Sequence, residues 1–323
     1  MKRLLTGFLA VAMAFTLAGC GTKKAEADKV RVATQPGVYC ANMLLAKVEG
    51  YFEQELKGTG ITVEYNSFIS AIPMNEAFAA GSVDIGISGD VALCVAKANG
   101  LPTKIFAKTS RNEEMTALIV RPDSDIIDIA SLKGKKVAVI KGTVAARLLA
   151  SALNTAGLTF NDVEIVNLPV TDIANAVASK QVEAGVVWEP NLTSAINQGL
   201  AKRLFDGRGG VQQNDCYFFV SEDFAKGNQV ILEAFIRAIE KANKQIAENP
   251  KAAAEKLKNE INLPTETLAE LLKTFEFTPA IGNAELEELG RVEKFNIEND
   301  LTKNTIDFNT FIDKSALNAV GIR

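Results

Sequence analysis

The spacing of apolar positions changes repeatedly along the chain. Residues 30–34 alternate apolar and polar, which predicts a strand, and Gln35-Pro36-Gly37 ends it in a turn. Residues 38–49 take helical spacing, residues 61–65 predict a second strand, and a helix follows that should open near Pro73. A third strand at 83–87 runs through Ser88-Gly89-Asp90 into an apolar helix at 91–98, and 105–108 and 116–120 read as further strands. The series then restarts. A strand at 136–140 leads through Lys141-Gly142-Thr143 into a helix at 144–156, and 163–166 is again a strand. A helix at 171–179 should be capped by Thr171 or Asp172, and the strand at 184–187 runs into Trp188-Glu189-Pro190. Residues 216–220 predict one more strand. Beyond Glu222 the spacing is helical at 231–247, 252–261, 265–275 and 284–296, divided by Pro250, Pro264 and Gly282.

The two series superimpose. Ala77 falls on Ala176, Val83 on Val182, Asp84 on Glu183, Gly86 on Gly185 and Asp90 on Glu189. Alternating strands and helices imply parallel sheets covered on both faces, and two copies imply two similar α/β lobes. The expected organisation is a first lobe begun by residues 29–118, a second lobe at 119–219, and a helical part at 220–323 that packs back on the first lobe.

The first residues tell a different story. Lys2 and Arg3 precede an apolar run from Leu4 to Leu17, too short for the roughly 20 residues of a spanning helix. Leu17-Ala18-Gly19-Cys20 has the form of a bacterial lipobox, so residues 1–19 are expected to be a cleaved signal, Cys20 the lipidated residue and 20–28 a tether. The protein is then extracytoplasmic and anchored to the cell membrane, with Gly21 unlike an inner-membrane retention signal.

Composition narrows the chemistry. The net charge of -4 lacks the basic face that nucleic acid needs. The 323 residues contain no histidine, which removes Ser-His-Asp and Cys-His arrangements and His-ligated zinc. Of the four cysteines, Cys40, Cys94 and Cys216 remain after the lipobox, an odd set with no Cys-x-x-Cys spacing for a metal. Their pairing is open, and Cys94 reads as a small buried residue. No catalytic group, metal or cofactor is expected.

In open parallel sheets ligands bind beyond the carboxyl ends of the strands, next to helix N-termini. The pattern therefore nominates Gln35 and Tyr39 after the first strand, Ser67 and Phe68 after the second, and Ser88, Gly89 and Asp90 after the third. Lys141, Gly142, Thr143, Trp188 and Glu189 hold the equivalent places in the second series, and Tyr217 is a further candidate. Glycines at helix starts let a ligand approach free N–H groups, which favours an anion. Asp90 reads equally as a ligand for an amine or as a helix cap, and Trp188 as a cleft or a core residue.

Residues 75–90, with Ala77, Gly81, Asp84, Gly86, Gly89 and Asp90, resemble the Ala-x-x-x-Gly-x-x-Asp-x-Gly-x-x-Gly-Asp segment of solute-binding proteins of the nitrate/sulfonate/taurine family. Leu132-Lys133-Gly134-Lys135-Lys136-Val137 with Lys141-Gly142-Thr143, and Trp188-Glu189-Pro190, resemble two more of its segments. The resemblance spans residues 29–235. It implies a type II periplasmic-binding-protein fold whose parallel-sheet lobes are joined by two crossover strands and close on a small molecule. It also implies a monomer that delivers its ligand to an ABC permease, and it carries over Ser88, Gly89, Asp90, Gly142, Thr143, Trp188 and Glu189 as cleft residues. An aliphatic sulfonate, taurine-like, or a related anion is the expected ligand. The Tyr39-Cys40 pair and Val144-Ala145 depart from the pattern and keep open an amino-pyrimidine thiamin precursor or another heterocycle. A pyrimidine-synthase-like enzyme shares the fold, but its chemistry uses a histidine.

Overall fold

The computed structural model describes residues 27–322, so the apolar leader and Cys20 lie outside the described residues. Its strands are β1 (Lys29–Thr34), β2 (Thr62–Ser67), β3 (Ile85–Gly89), β4 (Thr103–Arg111), β5 (Thr116–Val120), β6 (Lys136–Ala138), β7 (Glu164–Val166), β8 (Ala184–Trp188), β9 (Lys202–Asp206), β10 (Asp215–Ser221) and β11 (Glu276–Phe277). The helices that matter below are α1 (Ala41–Val48), α2 (Ala71–Ala79), α3 (Asp90–Ala98), α4 (Val144–Thr155), α5 (Val170–Ala178), α6 (Gln229–Glu248) and α7 (Asn283–Glu298).

Two sheets form, in the orders β11-β4-β10-β3-β1-β2 and β7-β6-β8-β5-β9. They are mixed rather than parallel. β1 pairs in parallel with β2 and β3, while β10 runs antiparallel to β3 and β4. In the second sheet β6 is parallel to β7 and β8, and β5 is antiparallel to β8 and β9. The reason is the path of the chain. β5 and β10 are each the first strand laid down after a crossing between lobes, and each enters its new sheet from the opposite end. The second lobe accordingly takes its strands from 116–206, and β10, expected there, lies in the first sheet.

The internal repeat has a physical basis. Asp84 accepts the Arg31 N–H and Glu183 accepts the Lys136 N–H, both at 2.8 Å, so each acid ties its strand to the parallel strand beside it, β1 in one lobe and β6 in the other. A Cβ at Gly86 would stand 2.6 Å from the Phe78 ring, and one at Gly185 would stand 2.3 Å from Ile173. In both lobes a glycine is therefore what lets the helix sit on the strand. The helical C-terminal part packs on the first lobe: Phe235, Leu268, Leu289 and Phe311 join β1, β3, β4 and β10 in one apolar cluster, and the second sheet has a cluster on each face.

Some local expectations shift. α5 opens at Val170 with Pro169, not Thr171 or Asp172, at its N-cap, because the fixed φ of proline holds the extended residue before the helix. α2 opens at Ala71 and keeps Pro73 in its first turn, where its missing N–H costs little. β9 and the two-residue β11 carry charges at their ends and gave no apolar alternation to read.

The chain crosses between the sheets at 112–115 and 207–214, and the crossings are bonded together. Gly207 N–H donates to the Glu113 carbonyl at 3.1 Å, and the Asn214 amide donates to the Asn112 and Glu113 carbonyls at 3.1 and 3.2 Å. A Cβ at Gly207 would meet the Glu113 and Gln212 carbonyl oxygens at 2.5 and 2.6 Å.

Candidate functional site

Both sheets point the carboxyl ends of their parallel strands at one cavity of about 520 Å³. Its wall is built from the residue groups that follow those strands: Gln35 after β1, Ser70 and Ala71 after β2, and Gly89 at the end of β3. The second lobe supplies Ile140 to Val144 after β6, Asn167 to Pro169 after β7, and Trp188 ending β8. Trp188 is half-buried and is, among the described residues, the one that packs against all three apolar clusters, so it stands where the lobes meet.

Four helix N-termini reach this wall, those of α2, α3, α4 and α5. Only α4 has an N-cap side chain bonded to its first turn, with the Thr143 hydroxyl accepting from Ala145 N–H at 3.3 Å. The N-cap residues of the others, Ser70, Gly89 and Pro169, make no such bond. Gly142 adopts φ +71°, the left-handed turn that brings the chain from β6 into α4. Lys141 beside it is exposed and makes no ion pair among the described residues. The result is a concentration of partial and full positive charge that suits an anion.

The structure brings Gln35, Tyr39, Ser88, Gly89, Lys141, Gly142, Thr143 and Trp188 together on the cavity wall. It does not bring the other candidates there. Ser67 is exposed on β2, and Phe68 packs on the first core. Tyr217 is fully buried in β10 and donates to Asp215 at 3.2 Å.

Asp90 is fully buried and off the wall: one carboxylate oxygen accepts Val91 N–H at 2.6 Å, while the other lies 3.6 Å from Arg147 and has no hydrogen-bond partner. Glu189 is likewise held by its own helix turn, accepting the Thr193 N–H and hydroxyl at 3.1 and 2.8 Å. Burial pushes the Asp90 carboxyl up to about 7, against the pull of Arg147 and with Glu288 and Asp215 adding to the rise. Burial raises Glu189 as well, opposed by its bonds from Thr193.

Tyr39 lies over Gly37, where a Cβ would be 2.2 Å from the ring, and its hydroxyl donates to Gln35 Oε1 at 2.5 Å. Of the three cysteines among the described residues, Cys216 lines the cavity. Cys40, Cys94 and Cys216 are all free and buried, and burial pushes the Cys40 thiol up to about 12 and the other two well above the usual thiol range.

The residues that the sequence did not single out are mostly apolar, with Ser70, Asn75 and Asn167 the polar ones. Ile69, Ile72, Met115, Ile140, Leu168 and Pro169 line the cavity. Ile69, Leu168 and Pro169 stand in the short links between a strand end and the next helix, which is the only sequence signal they carried.

Residues 38–253 match the family described as NMT1/THI5 like. The chain belongs to that family. Among its relatives is the taurine-binding periplasmic protein of Escherichia coli (strain K12), 29% identical over 231 residues that make up 70% of this chain and 69% of that one. The NMT1/THI5-like fold is seen again in the periplasmic aliphatic sulphonate binding protein SsuA from Escherichia coli, with a TM-score of 0.79 at 24% identity over 89% of this chain and 92% of that one. It is also seen in the alkanesulfonate-binding protein SsuA from Xanthomonas axonopodis pv. citri bound to MOPS, with a TM-score of 0.81 at 21% identity over 90% and 99%. These relatives are named as binding proteins.

Proposed function

We propose that this protein is an extracytoplasmic lipoprotein, anchored through Cys20, that captures an organosulfonate between its lobes and delivers it as a monomer to an ABC permease. The observation that carries this reading is the convergence of four helix N-termini, three without a capping side chain, and the unpaired Lys141 on one cavity. Hydrogen bonds to a charged group are worth about 1.5–3 kcal/mol each, so a few of them with apolar contact reach the roughly 8 kcal/mol of a micromolar site. The relatives named for taurine and sulfonates support the same anion. The ligand bridges both lobes and so binds the closed arrangement better than the open one, which shifts the population towards the form a permease reads.

The test is a thermal-shift and calorimetric comparison of ethanesulfonate and hexanesulfonate with 1-hexanol and hydroxymethyl-aminopyrimidine. Stabilisation by a sulfonate at one hundred times its Kd is expected to be ~2.7 kcal/mol. Stabilisation by the pyrimidine alone would move the role to uptake of a thiamin precursor.

A further inference from the structure

The acids buried behind the cavity differ in where their cations come from. Asp215 on β10 is held by Arg111 at 2.7 and 2.9 Å, and Glu285 on α7 by Lys108 and Arg111, both at 2.8 Å, all within the first lobe. Glu288 has Arg291 on its own helix at 2.7 Å. Asp90 has no first-lobe cation among the described residues. Its one cation is Arg147, which enters from the second lobe on α4 and gives its short bond, 2.6 Å, to Glu288. Asp90 is fully buried, and its Oδ2 is left 3.6 Å from the guanidinium with no hydrogen-bond partner.

The first turn of α4 also covers this corner of the first lobe. Val144 belongs to the first lobe's apolar cluster and would stand 3.2 Å from a Cβ at Gly89, the residue before Asp90. The other titratable groups around Asp90 are Glu288 on α7, Asp215, Cys216 and Tyr217 on β10, and Cys94 on α3, all of the first lobe. When the lobes part, Arg147 and Val144 withdraw, that ring stays in place, and water reaches Oδ2. A carboxylate in water ionises in the ordinary range, whereas one buried without a donor favours its neutral form. In the closed arrangement burial pushes Asp90 up to about 7 against the pull of Arg147. The chain contains no histidine, so no side chain in its ordinary state competes with this acid near pH 6. Glu189, also raised by burial, is bonded by Thr193 of its own lobe, and lobe motion leaves that bond in place.

We infer that Arg147 and Asp90 form a proton-operated clasp between the lobes: closure takes one proton from solvent onto Asp90 Oδ2, so mild acid strengthens the hold on the ligand and neutral pH loosens it. The inference rests on the reading that the lobes close on a ligand. The closed form binds the proton more tightly than the open form, so closure gains as pH falls, by at most about tenfold per pH unit for one proton.

The experiment titrates ethanesulfonate, whose charge is constant in this range, into the full chain and into Asp90→Asn by calorimetry at pH 5.5 and 7.5. Each titration is run in two buffers of different ionisation enthalpy, which counts the protons exchanged. The wild type is expected to bind roughly fivefold or more tighter at pH 5.5, and to take a proton from the buffer there. Asp90→Asn, neutral at every pH, is expected to bind equally at both values, about as tightly as the wild type in acid, without proton uptake. A merely structural Asp90 would leave the pH profile in place. Equal wild-type affinity at the two pH values without proton uptake, or a pH dependence that survives in Asp90→Asn, overturns the clasp and leaves the sulfonate site standing. The wild-type proton count decides the matter without the variant. Silence from ethanesulfonate at both values overturns the sulfonate reading alone, and small-angle scattering of the ligand-free chain then decides the clasp. A smaller radius of gyration at pH 5.5 than at 7.5, seen in the wild type and absent in Asp90→Asn, supports it; an unchanged radius overturns it.

Discussion

The Arg147 guanidinium on α4 donates to the Glu288 carboxylate on α7 at 2.6 Å, so a buried ion pair joins the second lobe to the first. Arg291 bonds the other Glu288 oxygen at 2.7 Å, and Asp90 lies 3.6 Å from Arg147. Burial works against the ionised Glu288, yet the bonds from Arg147 and Arg291 hold its carboxyl below the usual range.

Arg147→Met leaves two buried acids without their shared cation. Breaking one side of a buried pair costs roughly 3–5 kcal/mol. Urea unfolding of the variant should show a loss of that order. A loss under about 1 kcal/mol would mean that the pair does not persist across the lobes in solution.

Asp90 makes stability fall as pH rises. Its folded value of about 7 stands above the 3.8 of a free aspartate. Below the lower value both states hold the proton, and no dependence arises. Between the two the folded chain keeps a proton that the unfolded chain has released, so stability is lost steadily as pH rises towards 7. Glu189, raised in the same direction, adds to the slope. Asp90→Asn removes the Asp90 part, so the difference in melting temperature between variant and wild type should grow in the variant's favour from pH 4 to 7. A constant difference across that window would remove Asp90 as its source.

Gly207→Ala puts a methyl group against two backbone carbonyls of the crossings. Overpacking of this kind costs about 1–3 kcal/mol, and here the atoms that must give way are backbone. The expected result is a lower melting temperature together with a changed radius of gyration for the ligand-free chain in small-angle scattering. An unchanged scattering profile would show that the crossings absorb the methyl without moving the lobes.

Trp188→Ala is expected to weaken ligand binding more than tenfold, and also to lower the melting temperature because the ring packs on all three clusters. Calorimetry below the variant's melting temperature separates the two effects, and unchanged affinity would leave Trp188 a packing residue only.

Cys20→Ala should release the protein from membranes in a fractionation experiment without changing its melting temperature. Retention in the membrane fraction would point to an uncleaved anchor.

The repeat was legible because its physical requirement is local: Gly86 and Gly185 each permit a helix to rest on a strand, and Asp84 and Glu183 each meet a neighbouring strand's N–H. The helix starts around Gly89 and Gly142 were legible for the same reason. Asp90 was not. A carboxylate at a strand end looks ready for a ligand until Arg147 and Glu288 are placed beside it, and those residues are far away in sequence. Glu189 had its partner only four residues on, at Thr193, so that misreading was avoidable. Sheet membership of β10 was hidden because an apolar strand such as Cys216 to Val220 fits either core, and only the crossing at 207–214 decides which one it joins.

Arg111 and Asp215 are partners in the β4–β10 register, and the whole second sheet lies between them in sequence. The second lobe is thus an insertion into a hairpin of the first. A chain emerging from its N-terminus delivers every strand of the second lobe before β10 arrives. Until then β3 and β4 have no strand between them, and their unpaired edges are open to other chains. The half of the molecule made first is the half that finishes last.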